Sequence, residues 1–155
     1  IKAWLTGNTI IAVMNYRIAA WLVRHKIKVV PNMIAFRSMR RFGCEISPFC
    51  KLGEGLRIHH SQGITIGWQV EAGNNLELFQ HVTIGSNRKE RNGRTMPRIG
   101  NNVSIGNGAI VVGPISIGDN VIIGAQSYVD KDIPDNSFVI GAPAKIREIN
   151  ESITH

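Results

Sequence analysis

The chain has 155 residues, which is enough for one domain with its own hydrophobic core. Apolar residues make up 43% and charged residues 19% of the composition, proportions that exclude an intrinsically disordered protein. The formal net charge of +7 favours acidic partners, such as phosphorylated cofactors, anionic glycans or membrane surfaces, but does not choose among them.

The N-terminal segment, residues 1–43, is predicted to be helical. Apolar side chains recur at helical spacing from Ile10 to Leu22, and "HKIKVVPN" ends this first helix with Pro31 as the breaker. "NMIAFRSMRRF" predicts a second, short helix with Gly43 as its C-cap. Three arginines make the second helix basic: Arg37, Arg40 and Arg41. We interpret them as a solvated face, with contact to a membrane surface or an acidic glycan as the alternative.

From Glu45 onward the sequence repeats every six residues. Aliphatic residues six apart form one series, and a second series follows each member by four residues: Ile99, Ile105, Val111, Ile117, Ile123 and Val129, then Val103, Ala109, Ile115, Val121, Ser127 and Ile133. The resulting triplets, such as "VSI" and "VII", alternate in and out like short strands, and turn residues such as "GNN" and "GDN" separate them. Residues 44–147 therefore predict an all-β core, a parallel β-helix of about five coils, with short N-terminal helices, a C-terminal cap and a tail at 148–155.

Two interruptions of this period mark candidate functional segments. The series Ile46, Leu52 and Ile58 lies two residues out of phase with the later repeats, and the slip falls at "IHHSQG". An inserted loop, residues 85–98, replaces one six-residue step and carries five basic residues. We expect this loop either to be a solvated excursion or to wall a cleft that attracts a phosphate-bearing ligand.

The repeat, "HHSQG", the inserted loop and the terminal "GAPAK" together resemble the hexapeptide-repeat, left-handed β-helix acyltransferases. Within them, about two-thirds of the chain resembles the serine acetyltransferase branch, which includes small O-acetyltransferases of capsule and exopolysaccharide clusters, such as those for colanic acid. The resemblance implies the left hand, which the usual crossover rule would not predict. It also implies a homotrimer in which the inserted loop reaches across a subunit boundary, and acetyl-CoA as co-substrate.

The same resemblance assigns catalytic roles. His60 stands at the catalytic histidine, and Glu45 stands 15 residues before it, at the position of the family's partner acid. His60 would act as general base on an acceptor hydroxyl, and Glu45 would orient its imidazole. Strand alternation separates His59 from His60, and His59 occupies the place of a family acid.

On the acceptor side, the sequence departs from serine acetyltransferases. Besides His59, Met96 replaces a loop histidine, and the partner acid is Glu rather than Asp. Because such losses should reduce discrimination for a zwitterion, we expect a sugar hydroxyl in bacterial surface polysaccharide biosynthesis, with serine O-acetylation for cysteine biosynthesis as the alternative. The candidate acceptor-binding residues are His59, Gln80, His81, Arg94 and Met96.

On the donor side, small-residue turns match the family's CoA groove. The candidates for the pantetheine arm are Gly106, Gly108, Ala109, Gly124 and Ala125, and those for the nucleotide phosphates are Lys131 and Lys145.

Two other classes of function are weighed against this interpretation. A γ-type carbonic anhydrase needs two histidines five residues apart, and the five histidines contain no such pair. A non-catalytic β-helical assembly module stays open, and it predicts no CoA binding.

Cys44 and Cys50 form no C-x-x-C pair, so we expect no metal; we also expect no nucleic-acid partner. Residues 3–23, although apolar, are interrupted by Arg17, so we expect a cytoplasmic protein, with peripheral contact to membrane-bound glycan assembly at the inner membrane left open.

Overall fold

The computed structural model describes residues 7–148; residues 1–6 and 149–155, which include almost all of the expected tail, lie outside the described part. Two helices come first, α1 (Asn8–Arg24) and α2 (Val30–Phe42). Both predicted helices are present. Pro31, predicted as the breaker after the first helix, instead lies in the first turn of α2, where its missing N–H costs nothing. Gly43 caps α2 in the left-handed conformation, with φ at 64°, and its N–H donates to Met39 O.

Within the described residues, fifteen short strands follow and form three sheets. The first sheet holds β1 (Cys44–Ile46), β4 (Ile64–Ile66), β7 (Thr83–Gly85), β10 (Ile110–Val112) and β13 (Tyr128–Val129). The second holds β2 (Lys51–Leu52), β5 (Glu71–Ala72), β8 (Arg98–Ile99) and β11 (Ser116–Ile117). The third holds β3 (Arg57–Ile58), β6 (Glu77–Leu78), β9 (Ser104–Ile105), β12 (Ile122–Ile123), β14 (Ser137–Ile140) and β15 (Lys145–Glu148).

Every pairing between these strands is parallel except that of β14 with β15, which closes the C-terminal end. The chain visits the three sheets in turn and so makes a parallel β-solenoid of about five coils, which matches the left-handed β-helix fold. The predicted fold class is confirmed. The first coil is long, because Cys44 pairs with Ile64, whereas Thr65 pairs with Thr83 at the regular spacing of 18 residues.

Stacked aliphatic side chains fill the prism. Ile64, Leu78, Ile84, Ile105 and Val111 are all fully buried. Each coil buries its aliphatic residues against the coils above and below, so the hydrophobic effect stabilises the stack and not a single coil.

Turn residues connect the coils at their corners. At the corner between the second and third sheets, the side-chain amides of four asparagines in the left-handed conformation form a chain of hydrogen bonds of 2.9–3.0 Å: Asn75, Asn102, Asn120 and Asn136. The Asn-rich turns of the repeat therefore have a structural reason, since asparagine tolerates positive φ and can bond along the stack.

Helix α1 docks on the first coil through polar contacts. Tyr16 Oη donates to Cys50 O at 3.1 Å and accepts from Leu52 N at 3.1 Å. Arg17 donates to Leu52 O at 2.6 Å and also to Gly53 O. The buried face of α1 consists of Tyr16 and small residues, Ala12, Ala19 and Ala20, which allow close approach of the helix. The larger apolar residues of its helical pattern are half-buried or exposed.

Candidate active site

Two corners of the prism carry most of the predicted site residues. We call the turns between the third and first sheets the histidine corner; they comprise residues 59–63, 79–81, 106–108 and 124–126. We call the turns between the first and second sheets the loop corner; they include residues 47–50, 67–69, 86–97 and 130–132. In a three-sided prism these are different edges, so residues at one corner of a chain are separated from residues at the other.

His60 belongs to a two-residue insertion at the histidine corner. The first coil uses four residues to pass through this corner from Ile58, which pairs with Leu78, to Gln62, whose carbonyl oxygen accepts from the N–H of His81. The next coil covers the same turn in two fewer residues. This insertion is the physical basis of the phase slip seen in the sequence. It leaves His60 exposed, whereas Ser61 is buried beneath it.

His59 contacts the next coil. Its Nε2 lies 2.7 Å from Oε1 of Glu77, and its ring stacks on Phe79 with centroids 4.3 Å apart. The hydrogen bond from His59, together with the nearby positive charges of His59 and Arg57, lowers the pKa of Glu77. Neither Glu77 nor Phe79 was expected from the sequence. In the observed register Glu77 lies opposite Arg57, and Phe79 follows Leu78, the partner of Ile58.

Glu45 lies in the middle of β1, opposite Thr65, with its side chain exposed. Together with α2 and Trp68 it lines a pocket of about 480 Å³. Within residues 7–148 no hydrogen bond joins Glu45 to His60, so the expected pairing of the two is not formed in this single chain. Both side chains are free to meet a substrate or a neighbouring copy.

Gln80 and His81 lie at the histidine corner one coil beyond His60. His81 is exposed and has a φ of 59°, the left-handed position that Gly63 and Gly108 hold in neighbouring coils. His81 therefore has a structural reason to stand in this turn as well as access to solvent. The Oε1 atom of Gln80 is buried without a hydrogen-bond partner among the described residues, as is Oδ1 of Asn107 in the next coil.

The inserted loop forms a tight hairpin at the loop corner. Arg91 and Arg94 exchange two backbone hydrogen bonds around Asn92 and Gly93, both at positive φ. Arg91 pairs with Asp132 at 2.7 Å. The guanidinium of Arg94 donates to Pro114 O at 3.0 Å and lies 3.2 Å from Ser116 Oγ, so the hairpin is fastened to its own prism.

A pocket of about 400 Å³ lies beside this hairpin. Two exposed aromatic side chains line it, Phe49 and Trp68, together with the cations Lys51, Arg94 and Arg98 and with Glu71. Glu71 accepts from Lys51 at 3.0 Å and from Arg98 at 2.9 Å. The sequence reasoning missed both aromatic residues. The sequence did contain a signal for them, because both stand in turns although aromatic residues make up only 6% of the chain.

Met96 lies at the base of the inserted loop. Its side chain is only 8% exposed and belongs to the hydrophobic core, where it packs against Gly67. An apolar thioether gains more from burial than from solvent, so a single chain offers little of the Met96 side chain to an acceptor.

The donor-side turns fall partly where they were expected. Gly106, Gly108, Gly124 and Ala125 lie at the histidine corner. A side chain at Gly106 would come within 2.7 Å of Ala125 N, so glycine is required there by the close approach of two coils. Ala109 is wrong as a cofactor contact, because its side chain is fully buried inside the prism, as its place in the aliphatic series requires.

The two predicted phosphate-binding lysines are exposed at different places. Lys131 lies at the loop corner, between Asp130 and Asp132, and Lys145 begins β15 beside the third sheet. A single chain does not bring them together.

Two kinds of chemistry find no support in the described part of the chain. Among residues 7–148, no three His, Cys, Asp or Glu side chains lie close enough together to hold a metal ion. Burial raises the pKa of both Cys44 and Cys50 to about 12, so their thiols stay protonated and are poor nucleophiles. What remains is the exposed imidazole of His60, a group suited to general base catalysis.

Comparisons with known proteins agree with this architecture. Residues 96–131 match the family model described as bacterial transferase hexapeptide (six repeats). A serine acetyltransferase of Bacillus pumilus is 35% identical over 160 residues, which cover 100% of this chain and 73% of that protein. The chain spans 55% of the length of the serine acetyltransferase from Synechococcus elongatus and 78% of the one from Helicobacter pylori.

Solved structures of serine acetyltransferases are also similar to this chain. The serine acetyltransferase of Neisseria gonorrhoeae in complex with serine superposes with a TM-score of 0.86 at 33% identity, over 93% of this chain and 58% of that one. A serine acetyltransferase in complex with CoA superposes with a TM-score of 0.81 at 29% identity, over 88% of this chain and 55% of that one.

Proposed function

We propose that this chain, which belongs to the serine acetyltransferase family of hexapeptide-repeat transferases, transfers an acetyl group from acetyl-CoA to a hydroxyl group, with serine as its acceptor. The observation that carries the proposal is the likeness to serine acetyltransferases across nearly the whole described chain. It favours the alternative that we placed second on sequence grounds over the sugar acceptor that we placed first.

His60 performs the proton transfer in this proposal. Its exposed imidazole takes the proton from the acceptor hydroxyl, and the oxygen attacks the thioester carbonyl of acetyl-CoA. Collapse of the tetrahedral intermediate breaks the C–S bond, and the protonated His60 returns its proton to the CoA sulfur. Glu45 orients the imidazole and stabilises its charged form once the substrates are bound.

Glu77 supplies a carboxylate near the position where the family acid is replaced by His59, which weakens one reason to doubt serine as the acceptor. The family acid before the catalytic histidine is His59 here, and that substitution removes a negative charge that could bind the amino group of serine. In the folded chain a carboxylate oxygen of Glu77, in the adjoining strand β6, lies 2.7 Å from the His59 imidazole, so a carboxylate lies next to the position of the missing acid. We assign Glu77 the recognition of the serine ammonium.

Acetyl-CoA is proposed to lie along the histidine corner. Gly106, Gly108, Gly124 and Ala125 are half-buried or exposed in the turns along which the pantetheine arm would lie. Lys145, the candidate for phosphate, pairs with Ile140, whose side chain lies beside Gly124.

A homotrimer would complete this site. His60 and the Arg94 hairpin lie on different edges of one prism, so only a neighbouring copy can bring a hairpin to the histidine corner. The same arrangement would bring Lys131 of one copy towards Lys145 of the next.

A sugar hydroxyl remains the second candidate acceptor, and a specific observation favours it. The pocket lined by Phe49 and Trp68 combines exposed aromatic faces, on which sugar rings pack, with three cations and one carboxylate. Such a lining suits an acidic sugar, as occurs in the surface polysaccharides of bacteria. Burial of Met96 also leaves no polar side chain at that position to bind a zwitterion.

One assay separates the two acceptors. Thiol release from acetyl-CoA is measured with L-serine, with L-alanine as the matched amino acid without a hydroxyl, and with neutral and acidic sugars and nucleotide sugars. Serine-dependent release that exceeds every sugar supports the proposal. Thiol release that is faster with an acidic sugar than with serine, and that is lost in Trp68→Ala, would identify a sugar hydroxyl as the acceptor. A chain that binds no CoA by calorimetry would be a non-catalytic module.

A further inference from the structure

All of the positive net charge resides in the helical segment. Residues 1–44 contain eight Lys and Arg and no Asp or Glu, whereas residues 45–155 contain ten basic and eleven acidic residues. The first 44 residues therefore carry +8 and the remaining 111 carry −1, in agreement with the total of +7. A charge segregated in this way creates a one-sided electrostatic field, which the catalytic prism does not need for its own stability.

The same segment exposes most of the large apolar side chains. Of the fifteen exposed large apolar side chains among residues 7–148, nine lie between residues 11 and 36. They are Ile11, Met14, Ile18, Trp21, Ile27, Val29, Val30, Met33 and Phe36. We call these nine residues the helical surface. Val29 is 69% and Met33 64% exposed, values that are costly for residues of this type unless something covers them.

Helical geometry places these residues in stripes. On α1, Ile11, Met14, Ile18 and Trp21 follow one another at steps of three or four residues and so share a face. On α2, one arc carries Val30, Met33 and Phe36 and, one turn further on, the exposed Arg37, Arg40 and Arg41. The apolar and cationic side chains therefore lie on the same side of α2, and Lys26 and Lys28 extend the positive charge through the connection between the helices.

We infer that the helical surface docks the protein on an anionic lipid bilayer, with its apolar side chains at the acyl boundary and its cations at the headgroups. No helix among the described residues is long and apolar enough to cross a membrane, so the contact is interfacial. Cations alone would suit any polyanion, but aliphatic side chains such as Ile18, Val29 and Met33 gain nothing from nucleic acid, whereas a bilayer buries them.

Charge argues against a second copy as the occupant. A two-fold contact through the helical surface would face the cations of one copy with those of the other, and residues 7–44 contain no carboxylate to separate them. The inference does not rest on the proposed acetyl transfer, and its test has a readout of its own.

The experiment measures flotation of the full chain with lipid vesicles. Vesicles of phosphatidylcholine alone are compared with vesicles that also contain phosphatidylglycerol, at low and high salt. We expect binding to the anionic vesicles only, weakened by salt. Replacing three cations, in Arg37→Gln/Arg40→Gln/Arg41→Gln, should weaken binding on the order of 100-fold, because each cation near the surface contributes about fivefold. The double variant Val29→Ser/Met33→Ser should weaken it by about tenfold or more.

Matched variants on the prism serve as controls. Arg88→Gln/Lys89→Gln/Arg147→Gln removes the same charge, and Ile140→Ser/Ile146→Ser removes two apolar side chains that are each 40% exposed, all of them away from the helices. These should bind within about twofold of the unmodified chain. Equal loss in the prism variants would overturn the inference, and so would full binding by Val29→Ser/Met33→Ser, which indicates simple ion exchange. A change in the sedimenting mass of the helical-surface variants without lipid would instead identify that surface as a contact between copies.

Discussion

The imidazole of His59 is held between two side chains of the next coil: its Nε2 lies 2.7 Å from Oε1 of Glu77, and its ring stacks on Phe79 at an interplanar angle of 9°. This arrangement fastens the irregular first coil to the regular second coil at the corner where the chain carries two extra residues. It also fixes the direction of the turn from which His60 projects. The pair therefore connects the stability of the histidine corner to the geometry of the proposed catalytic residue.

Glu77→Gln tests the contribution of this ion pair to stability. The pKa of Glu77 is lower in the folded chain than in the unfolded chain, so its carboxylate stabilises the fold above the unfolded pKa, and that stabilisation disappears as the pH falls through the folded pKa. At pH 7 the variant should be about 0.5–1 kcal/mol less stable, a small value because both side chains are partly exposed. The difference between variant and unmodified chain should shrink as the pH falls through the lowered folded pKa of Glu77 and vanish below it.

Urea denaturation at a series of pH values measures this difference. Glu54→Gln is a suitable control, because Glu54 is an exposed carboxylate at another corner. A Glu77→Gln deficit that persists unchanged at acidic pH would mean that the effect comes from packing and not from the charge.

The sequence predicted the prism but not the contacts between coils. The six-residue series determined which residues point inwards, so the core and the five coils followed from periodicity alone. Contacts such as His59 with Glu77 depend on the register between coils, and the insertion of His60 and Ser61 shifts that register by two residues. The burial of Met96 was missed for a related reason: a residue in an irregular loop has no period from which its burial can be read.

Replacement of the two adjacent histidines should have different effects on kinetics. His60→Ala removes the proposed base and should lower kcat by on the order of 100- to 10,000-fold. His59→Ala leaves the base in place but releases Glu77, so it should lower kcat less than about tenfold and raise KM for the acceptor. Steady-state thiol release with varied acceptor measures both. Equal kcat losses in the two variants would contradict the assignment of His60, as would full activity of His60→Ala.

Gly106→Ala should disturb the proposed donor side. The added methyl group would lie 2.7 Å from Ala125 N and 3.0 Å from Ile123 O, both of them backbone atoms of the next coil. Two coils must separate to admit it, at a cost of about 1–3 kcal/mol in the free energy of unfolding. CoA affinity, measured by calorimetry, should fall as the turn moves.

Gly85→Ala is the matched control for that substitution, because a side chain there would meet no atom within 4 Å and its φ is not left-handed. It should leave the thermal midpoint unchanged. If both variants were equally stable, the close approach of the two turns would not constrain Gly106.

Asn102 should contribute to stability through its conformation and its bonds. Its side chain accepts from Asn75 at 2.9 Å and donates to Asn120 at 3.0 Å, and its φ is 55°. Asn102→Ala loses both hydrogen bonds and places a Cβ in the left-handed region, so we expect a loss of about 2–3 kcal/mol in urea denaturation. Asn102→Gly tolerates that conformation and should lose only about half as much. Equal losses would assign the whole effect to the hydrogen bonds.

A mixture of two inactive variants tests whether the site is shared between copies. His60→Ala removes the base from the histidine corner, and Arg94→Ala/Met96→Ala disrupts the hairpin at the loop corner. The two chains, carrying different tags, are produced together, purified through both tags and assayed for thiol release. If each site takes His60 from one copy and the hairpin from its neighbour, these mixed trimers should recover about one third of the unmodified activity, because one of the three junctions in each combines two intact halves. A site built within one chain predicts no recovery, because every chain in the mixture then lacks either the base or the intact hairpin.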